Sequence, residues 1–380
     1  MLPNKNQLYI IMGVKDLHRK PFDMGTNCKL DIFEKYVQEW LPVMIMSKYN
    51  VCCIYDMFAG PGYDKLGQLG SPIRILSQVL DQVQNISAKE QKIGLWFNEA
   101  DKDKFEQLTT NCINYIEDNP PLKDLYNRSL LKIKFTQNKF EDIFDADVLP
   151  ALRKCPSLLF LDQNGIKHLN KFEQLVKIPH LDFLYFVSSS YYVRFGETEP
   201  FQNVIKVNMQ ELRSLNYKDI HENITNELRG LIPPYSSMRI YPFSIKKDAN
   251  IYGIVFGSSN ILGVDKFLRT TWNINPINGS ANFDIEEDNS KLQMDLFEGK
   301  LLNKIEKFQQ DLKQAILNRE ITTNEQAYIF TISNGHIPPH AHEIIKQMQK
   351  EKLIKYKGTT PAVNYDNVFK RHNIVEYKIL

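Results

Sequence analysis

Hydrophobic and polar positions along the chain follow two alternating periods, which predict helices and strands in turn. Apolar residues from Leu30 to Leu41 recur at three- and four-residue steps, so we expect a helix there that Pro42 closes. Short apolar and β-branched runs alternate with amphipathic stretches after this point. They predict five strands, at 50–58, 92–101, 131–138, 157–165 and 181–190. This α/β alternation indicates a doubly wound, Rossmann-like parallel sheet, and residues 250–274 add one more strand and helix.

The pattern changes near the C-terminus, where a polar and acidic stretch around 284–290 predicts a domain boundary. A long amphipathic helix follows, and then helix, turn, helix and two short strands at 352–357 and 374–380. Helix-turn-helix with a closing hairpin is the outline of a winged-helix module. We therefore predict a Rossmann-like domain at 1–290 and a winged-helix-like domain at 291–380.

Composition and charge narrow the class of protein. The chain has 380 residues, 43% hydrophobic and 24% charged, as in ordinary globular proteins. It lacks an apolar run long enough for a signal peptide or membrane helix, so we expect a cytoplasmic protein with no membrane partner. The five cysteines lack C-x-x-C spacing, which argues against a zinc knuckle or a disulfide framework, and we expect Cys52 and Cys53 to be buried packing.

The first predicted strand runs directly into a glycine-rich loop. Asp56, Phe58, Ala59, Gly60 and Gly62 form a D-x-F-A-G-x-G pattern, followed by a helix that begins at Ser71-Pro72. Glycines at such a turn let the backbone approach a ligand closely, and the helix start offers free N–H groups. A tight turn without a ligand is the alternative. The absence of G-x-G-x-x-G disfavours NAD binding, and the absence of Gly-Lys-Ser/Thr excludes a P-loop.

Three further strand ends carry polar residues that suit a nucleoside ligand. Glu99 ends the second strand, where a carboxylate can accept hydrogen bonds from ribose hydroxyls. Asn138 ends the third strand and is a candidate for an adenine edge. Asp162 and Asn164 end the fourth strand, where a reacting group would lie. Asp162 is a candidate hydrogen-bond acceptor or base for an acceptor amine, and a turn-capping aspartate is the alternative.

The D-x-F-A-G-x-G loop resembles the cofactor loop of class I methyltransferases that use S-adenosylmethionine. More narrowly, the chain resembles the three-Cys-motif partner family. The matching pieces, which cover nearly the whole chain, are Thr26-x-x-Lys29, FAGPG, GSPIRIL, FLDQNG, YGIVFGSSNILGVDKF and NGHIPPHAHEII. The family turn usually has proline after the aspartate, whereas this chain has Gln163. Helix N-capping is the alternative role for Thr26 and Lys29.

The resemblance implies a class I methyltransferase-like fold, S-adenosylmethionine as cofactor, and a partner protein with three cysteines, similar to radical-SAM proteins. Together with the C-terminal module it implies a two-component system that modifies nucleic acid. Amino-methyltransferases of nucleic acids carry [D/N/S]-P-P-[Y/F/W] after the fourth strand, of which Asp162 alone remains, and no Pro-Cys pair of a cytosine-C5 enzyme occurs. The rival hypothesis is a non-catalytic subunit that binds nucleic acid or the cysteine-rich partner.

Positive charge is concentrated in the C-terminal region. Residues 300–380 hold 13 Lys and Arg against 8 Asp and Glu, although the whole chain has a net charge of only +2. The residues predicted to contact nucleic acid are Arg194, Lys346, Lys350, Lys370 and Arg371. Ordinary solvated charge is the alternative. The closely spaced His336, His340 and His342 suggest helix-start packing or phosphate contact more than a metal site.

Overall fold

The computed structural model describes residues 22–163, 168–188, 214–216, 218–247, 250–291 and 301–380. The predicted alternation of strands and helices is present. The strands are β1 Val51–Asp56, β2 Lys92–Asn98, β3 Leu131–Thr136, β4 Ser157–Leu161, β5 Leu181–Val187, β6 Arg239–Lys247, β7 Asn250–Ser258, β8 Ile354–Lys355 and β9 Lys378–Ile379. The helices up to the end of the large sheet are α1 Met24–Ile45, α2 Ser71–Asp81, α3 Val83–Lys89, α4 Lys102–Glu117, α5 Pro120–Asn127, α6 Phe140–Ile143, α7 Leu149–Leu152, α8 Phe172–Leu175, α9 Ile220–Arg229 and α10 Ile261–Ile274.

Seven strands form one sheet in the order β3-β2-β1-β4-β5-β7-β6. The first five are parallel to one another, and β7 is antiparallel to both of its neighbours. Apolar side chains of α1, α2, α4 and α10 cover one face of the sheet, and those of α6 to α9 cover the other. The predicted fold class is therefore confirmed: a doubly wound, Rossmann-like and methyltransferase-like sheet.

Two local predictions about secondary structure were wrong or incomplete, and both concern proline. Pro42 does not close α1, which continues to Ile45. Its missing N–H costs only the bond to the carbonyl of Gln38, a residue on the exposed side of the helix. The strand β6 was not predicted, and it contains Pro242. This proline is tolerated because β6 is an edge strand of the sheet.

The C-terminal region has the predicted winged-helix outline. Its helices are α11 Asp288–Lys291, α12 Lys304–Leu317, α13 Asn324–Ser333 and α14 Pro338–Lys350. The strands β8 and β9 pair antiparallel over two residues each. Buried Asn324 holds the wing to α13, because its amide donates to the carbonyls of Ala362 (3.0 Å) and Asn373 (2.9 Å).

This region packs directly on the large sheet's domain. Trp272 on α10 donates its indole N–H to the Gly335 carbonyl at 2.9 Å, and Tyr328 on α13 donates to Asp265 on α10 at 3.0 Å. Tyr241 on β6 donates to the Ile332 carbonyl at 2.9 Å. Among the described residues, no helix combines the length and apolar character needed to span a bilayer.

Candidate functional site

The carboxyl ends of the parallel strands bring three carboxylates to one edge of the sheet. Asp56 ends β1 and pairs in register with Phe97 on β2 and Phe160 on β4. Glu99 and Asp162 each follow two residues beyond those register partners. The predicted strand-end residues therefore lie on three adjacent strands, at the edge where ligands bind in such sheets.

Asp56 is fully buried at this edge. Its Oδ1 accepts a hydrogen bond from the Phe58 amide at 3.2 Å, whereas its Oδ2 has no hydrogen-bond partner among the described residues. Burial raises the pKa of Asp56 to about 7, with smaller raising contributions from the charges of Asp162 and Glu99, while the Ser71 hydroxyl and the Phe58 amide lower it in part. A buried carboxylate oxygen without a donor is costly unless a ligand supplies one.

The loop after Asp56 has the conformation that its glycines predict. Gly60 and Gly62 have φ of 64° and 90°, in the left-handed region that side chains disfavour. The Gly60 amide donates to Glu99 Oε2 at 3.0 Å, and the Asn111 side chain donates to the Pro61 carbonyl at 2.7 Å. Buried Ala59 donates its amide to the Asn98 carbonyl at 3.0 Å. The loop is thus held in a single shape by the ends of β2 and by α4.

Glu99 and Asn138 have backbone roles that the sequence did not reveal. The two carboxylate oxygens of Glu99 accept from the amides of Gly60 and Asp101 (2.8 Å), so ribose hydroxyls would use its remaining lone pairs. Asn138 is exposed, and its carbonyl accepts from the side chain of Asn98 at 2.9 Å. Asn98 also donates to the Met57 carbonyl at 3.2 Å, which ties the ends of β1, β2 and β3 together. The roles predicted for Glu99 and Asn138 toward a ligand stay predictions.

Asp162 is paired with a lysine that lies 133 residues earlier in the chain. Its Oδ2 forms an ion pair with the ammonium of Lys29 on α1, and the two side chains are 24% and 9% exposed. The same ammonium lies 4.6 Å from the ring centroid of Phe186 on β5. Helix capping is not the role of Lys29 or Thr26, because Asp23 is the N-cap residue of α1. The sequence motif Thr26-x-x-Lys29 was the only signal that pointed to this lysine.

Gln163, which stands where the family turn has proline, is anchored by its side chain. Its side chain is buried, donates to the Tyr185 hydroxyl at 2.7 Å and accepts from the His168 amide at 3.1 Å. The side chain therefore points into the protein, on the face of the sheet opposite α1. The predicted site residues Asn164 and Arg194 lie outside the described residues.

Two further features of the carboxyl edge are the surroundings of Phe58, which is a predicted cofactor-binding residue, and the hydroxyl of Ser188, which was not predicted. Half-buried Phe58 packs against Phe140 and His168, with ring centroids 5.3 and 5.8 Å away, and these rings form an aromatic wall beside the glycine loop. Ser188 directly follows β5, is 2% exposed, and its hydroxyl has no hydrogen-bond partner among the described residues. Neither the rings around Phe58 nor the position of Ser188 has a signal in the sequence, because both depend on the order of the strands in the folded sheet.

The C-terminal residues predicted to contact nucleic acid lie on the surface. Lys346 and Lys350 on α14 are exposed, and neither has an ion-pair partner within the part of the chain that the structure describes. Lys370 pairs with Asp366 at 2.9 Å, and Arg371 is exposed beside it. The apolar residues Ile344, Ile345 and Met348 of α14 are buried.

Two histidines of this region are packed among aromatic side chains. His336 is buried and stacks on Phe308 with ring centroids 4.1 Å apart, and its Nδ1 lies 3.1 Å from Nδ1 of His340. Burial lowers the pKa of His336 to about 2 and that of His340 to about 4, so both are neutral at physiological pH. Among the described residues there is no group of three or more potential metal-ligating side chains.

Comparison with known proteins supports the C-terminal assignment. Residues 283–361 match the family described as the GMT-like wHTH domain. This part of the chain is a winged helix-turn-helix domain. The match places its start near the acidic stretch around 284–290, although the predicted extent of the two domains stays a prediction. No curated protein sequence matches the chain.

Two solved structures are similar to the chain at low sequence identity. Trm1 from Pyrococcus horikoshii in complex with S-adenosyl-L-methionine has 12% identity and a TM-score of 0.35, with 65% of this chain covered. The chain spans 59% of that protein's length. A Klebsiella pneumoniae protein classed as an O-methyltransferase has 11% identity and a TM-score of 0.29, covering 66% of this chain and 94% of that one. These identities and TM-scores do not indicate an activity, so the functional assignment rests on the residues of the site.

Proposed function

We propose that the carboxyl edge of the sheet binds S-adenosylmethionine and that the protein transfers its methyl group to nucleic acid. The observation that carries the proposal is the buried Oδ2 of Asp56, which has no hydrogen-bond partner among the described residues and directly precedes a loop of left-handed glycines. Among the described residues, the carboxylates of Asp56, Glu99 and Asp162 lie at this edge, and the ammonium of Lys29 pairs with Asp162. Such an excess of negative charge suits a ligand that carries positive charge.

The chemical groups of S-adenosylmethionine match this set of side chains. The cofactor carries a sulfonium and an ammonium, for which Asp56 is the buried counter-ion, and a carboxylate that the Lys29 ammonium can pair with. Glu99 has lone pairs left for the ribose hydroxyls, and the aromatic wall at Phe58 offers a surface for a planar base. Bound there, the cofactor would supply an electrophilic methyl group.

The acceptor side is assigned to Asp162 and Ser188. Asp162 accepts the proton, or a hydrogen bond, from the acceptor amine, and its ion pair with Lys29 holds the carboxylate in place for that task. Ser188 offers a buried hydroxyl at the neighbouring strand end, where an acceptor would satisfy it. Phe186, which contacts Lys29, extends this side of the edge.

Nucleic acid is the proposed acceptor because of the C-terminal domain. A winged helix presents its second helix-turn-helix element to nucleic acid, which here is α14 with Lys346 and Lys350. Exposed Lys355 and Lys357 extend the same basic surface onto the wing. We call these four lysines the basic surface.

A second candidate function is a non-catalytic subunit, and the observation that favours it is the position of Gln163. The Gln163 side chain is held in the core by Tyr185 and His168, at the place where amino-methyltransferases have the proline that fixes the acceptor turn. In this reading the domain binds nucleic acid or the three-cysteine partner without transferring methyl groups. The partner itself stays a prediction of the family resemblance.

Methyl transfer can be tested with labelled S-adenosylmethionine and mixed cellular DNA and RNA. We expect the wild-type chain to label one of these pools, and Asp162→Ala to lose at least about 100-fold in rate while cofactor affinity is kept. Asp124→Ala, which removes an exposed aspartate paired with Arg128, is the matched control and should leave the rate unchanged. Cofactor binding by the wild type without labelling of either pool would favour the subunit function.

The nucleic-acid surface can be tested separately through its salt dependence. Affinity for a duplex should fall steeply with salt, because each neutralised phosphate releases counterions. Replacing Lys346 and Lys350 with alanine should reduce the log–log slope by about two, one for each lost phosphate contact. The double variant Lys48→Ala/Lys89→Ala changes two exposed lysines that lie just before β1 and β2. It should leave the slope unchanged. A slope that does not respond to the α14 lysines would place the nucleic acid elsewhere.

A further inference from the structure

A second cluster of reactive side chains lies at the opposite, amino-terminal edge of the sheet. The sulfur atoms of Cys53 on β1 and Cys155 just before β4 are 3.3 Å apart. The backbone fixes this approach, because the Cys53 amide donates to the Pro156 carbonyl at 3.0 Å and Cys53 pairs in register with Ser157. Both cysteines are free and partly exposed, so the prediction of buried packing holds for Cys52 but not for Cys53.

The fold leaves room for this sulfur pair. A Cβ added to Gly94 on the adjacent strand β2 would lie 2.7 Å from Cys53 Sγ, so a side chain at that position would displace the thiol. The Ser157 hydroxyl donates to the Cys155 carbonyl at 2.9 Å and holds the end of the loop. The pair is therefore set by the register of three strands rather than by a mobile surface loop.

The electrostatic environment distinguishes Cys155 from the other thiols. The hydrogen bond between the two thiols lowers the pKa of Cys155 to about 7 and raises that of Cys53. Burial raises the pKa of Cys28 and that of Cys52 to about 12. A partly exposed thiol of lowered pKa beside a second thiol is the arrangement of reactive, oxidisable cysteines.

We propose that Cys155 and Cys53 form a reversible oxidation site for hydrogen peroxide or a related peroxide. The Cys155 thiolate attacks one peroxide oxygen, the O–O bond breaks, and Cys155 becomes a sulfenic acid while hydroxide leaves and takes up a proton to become water. The Cys53 thiol then loses its proton and attacks the Cys155 sulfur. The S–O bond breaks, a second water leaves, and a disulfide remains. The peroxide is reduced by two electrons, and a low-molecular-weight dithiol restores both thiols by exchange.

The disulfide would join β1 to the segment before β4 without touching the carboxyl edge. Its formation does not depend on cofactor or nucleic acid, so this site and the proposed methyl transfer succeed or fail independently. Because the link spans a long segment of chain, the oxidised protein should unfold at a higher temperature than the reduced one.

The test is titration of free thiols in the full chain, unfolded in denaturant after treatment with a few equivalents of hydrogen peroxide. We expect free thiols to fall from five to three. Intact mass should decrease by two hydrogen atoms, a peptide should link Cys53 to Cys155, and dithiothreitol should reverse every change. Cys28→Ser, which removes a partly buried thiol without a sulfur neighbour, should lose two thiols in the same way.

Cys155→Ser and Cys53→Ser should each abolish the disulfide and retain the wild-type unfolding temperature of the reduced protein. In Cys53→Ser, peroxide should leave Cys155 as a sulfenic acid that dimedone traps. This adduct identifies Cys155 as the attacking sulfur even if Cys155→Ser does not fold. Retention of all five thiols, a disulfide between another pair, or direct oxidation to sulfinic acid in the wild type would overturn the proposal.

Discussion

Two buried aspartates at opposite edges of the same sheet show how differently those edges are built. Asp182 begins β5 at the amino edge, and its two carboxylate oxygens accept from the Tyr36 hydroxyl at 2.7 Å and the Ser258 hydroxyl at 2.5 Å. Asp56 ends β1 at the carboxyl edge, where one oxygen accepts a single backbone amide and the other accepts nothing among the described residues. Both side chains are hidden from solvent.

The contrast separates a structural carboxylate from one that is open to a ligand. Burial raises the pKa of Asp56 to about 7 and that of Asp182 to about 6, so both ionised forms are unfavourable in the folded protein. Hydroxyl groups of α1 and β7 donate to the Asp182 carboxylate, which stabilises its ionised form and links those elements to β5. Asp56 has weaker compensation, from the Phe58 amide and the nearby Ser71 hydroxyl, and its Oδ2 has no hydrogen bond among the described residues, which is why we assign it to a cationic ligand.

The largest expected effect is on stability, when each aspartate is replaced by alanine. Asp182→Ala leaves two buried hydroxyls without their acceptor and should lower the free energy of unfolding by about 3 kcal/mol. Asp56→Ala removes a carboxylate that, among the described residues, only the Phe58 amide and the Ser71 hydroxyl stabilise, so its cost should be below about 1 kcal/mol at pH 8. Denaturant titration at pH 8 without ligand checks both values.

A loss for Asp56→Ala as large as that for Asp182→Ala would contradict the contrast. It would mean that Asp56 has structural partners equivalent to Tyr36 and Ser258. Glu141→Ala, which removes an exposed carboxylate, serves as the control and should change the free energy of unfolding by less than about 0.5 kcal/mol.

A smaller effect is expected on the pH dependence of cofactor affinity. The folded pKa of Asp56 is raised from 3.8 to about 7, so this group contributes stability below about pH 4 and loses that contribution as pH rises through 7. A cationic ligand binds the ionised form, so affinity for S-adenosylmethionine should fall about tenfold per unit as pH decreases from 7 to 5. Asp56→Asn should flatten this profile, whereas Asp182→Asn should keep it.

The fold was largely predictable because its strands and helices have clear periods. The five parallel strands and the C-terminal helices carry apolar patterns that a single local rule recognises. The missed strand β6 shows where that rule ends, since Pro242 argues against a strand unless the strand lies at an edge. Edge position is a property of the assembled sheet, which no local window contains.

The candidate site was predictable only at strand ends. Asp56, Glu99 and Asp162 follow apolar runs, and parallel topology alone places them together. The partner of Asp162, Lys29, is 133 residues away along the chain, and the inward orientation of Gln163 depends on Tyr185. Likewise, the 3.3 Å approach of Cys53 and Cys155 arises from strand register and has no signature in cysteine spacing.

The central claim is that Asp56 is the buried counter-ion of a cationic cofactor. Calorimetric titration of the reduced protein with S-adenosylmethionine at pH 7.5 tests it most directly, with Asp56→Asn, Asp182→Asn and Gly60→Val measured in parallel. We predict saturable binding by the wild type and by folded Asp182→Asn, a loss of at least about tenfold for Asp56→Asn, and no binding by Gly60→Val, whose branched side chain disfavours the left-handed φ of the loop. No binding by the wild type at millimolar cofactor, or undiminished binding by Asp56→Asn, would contradict the account.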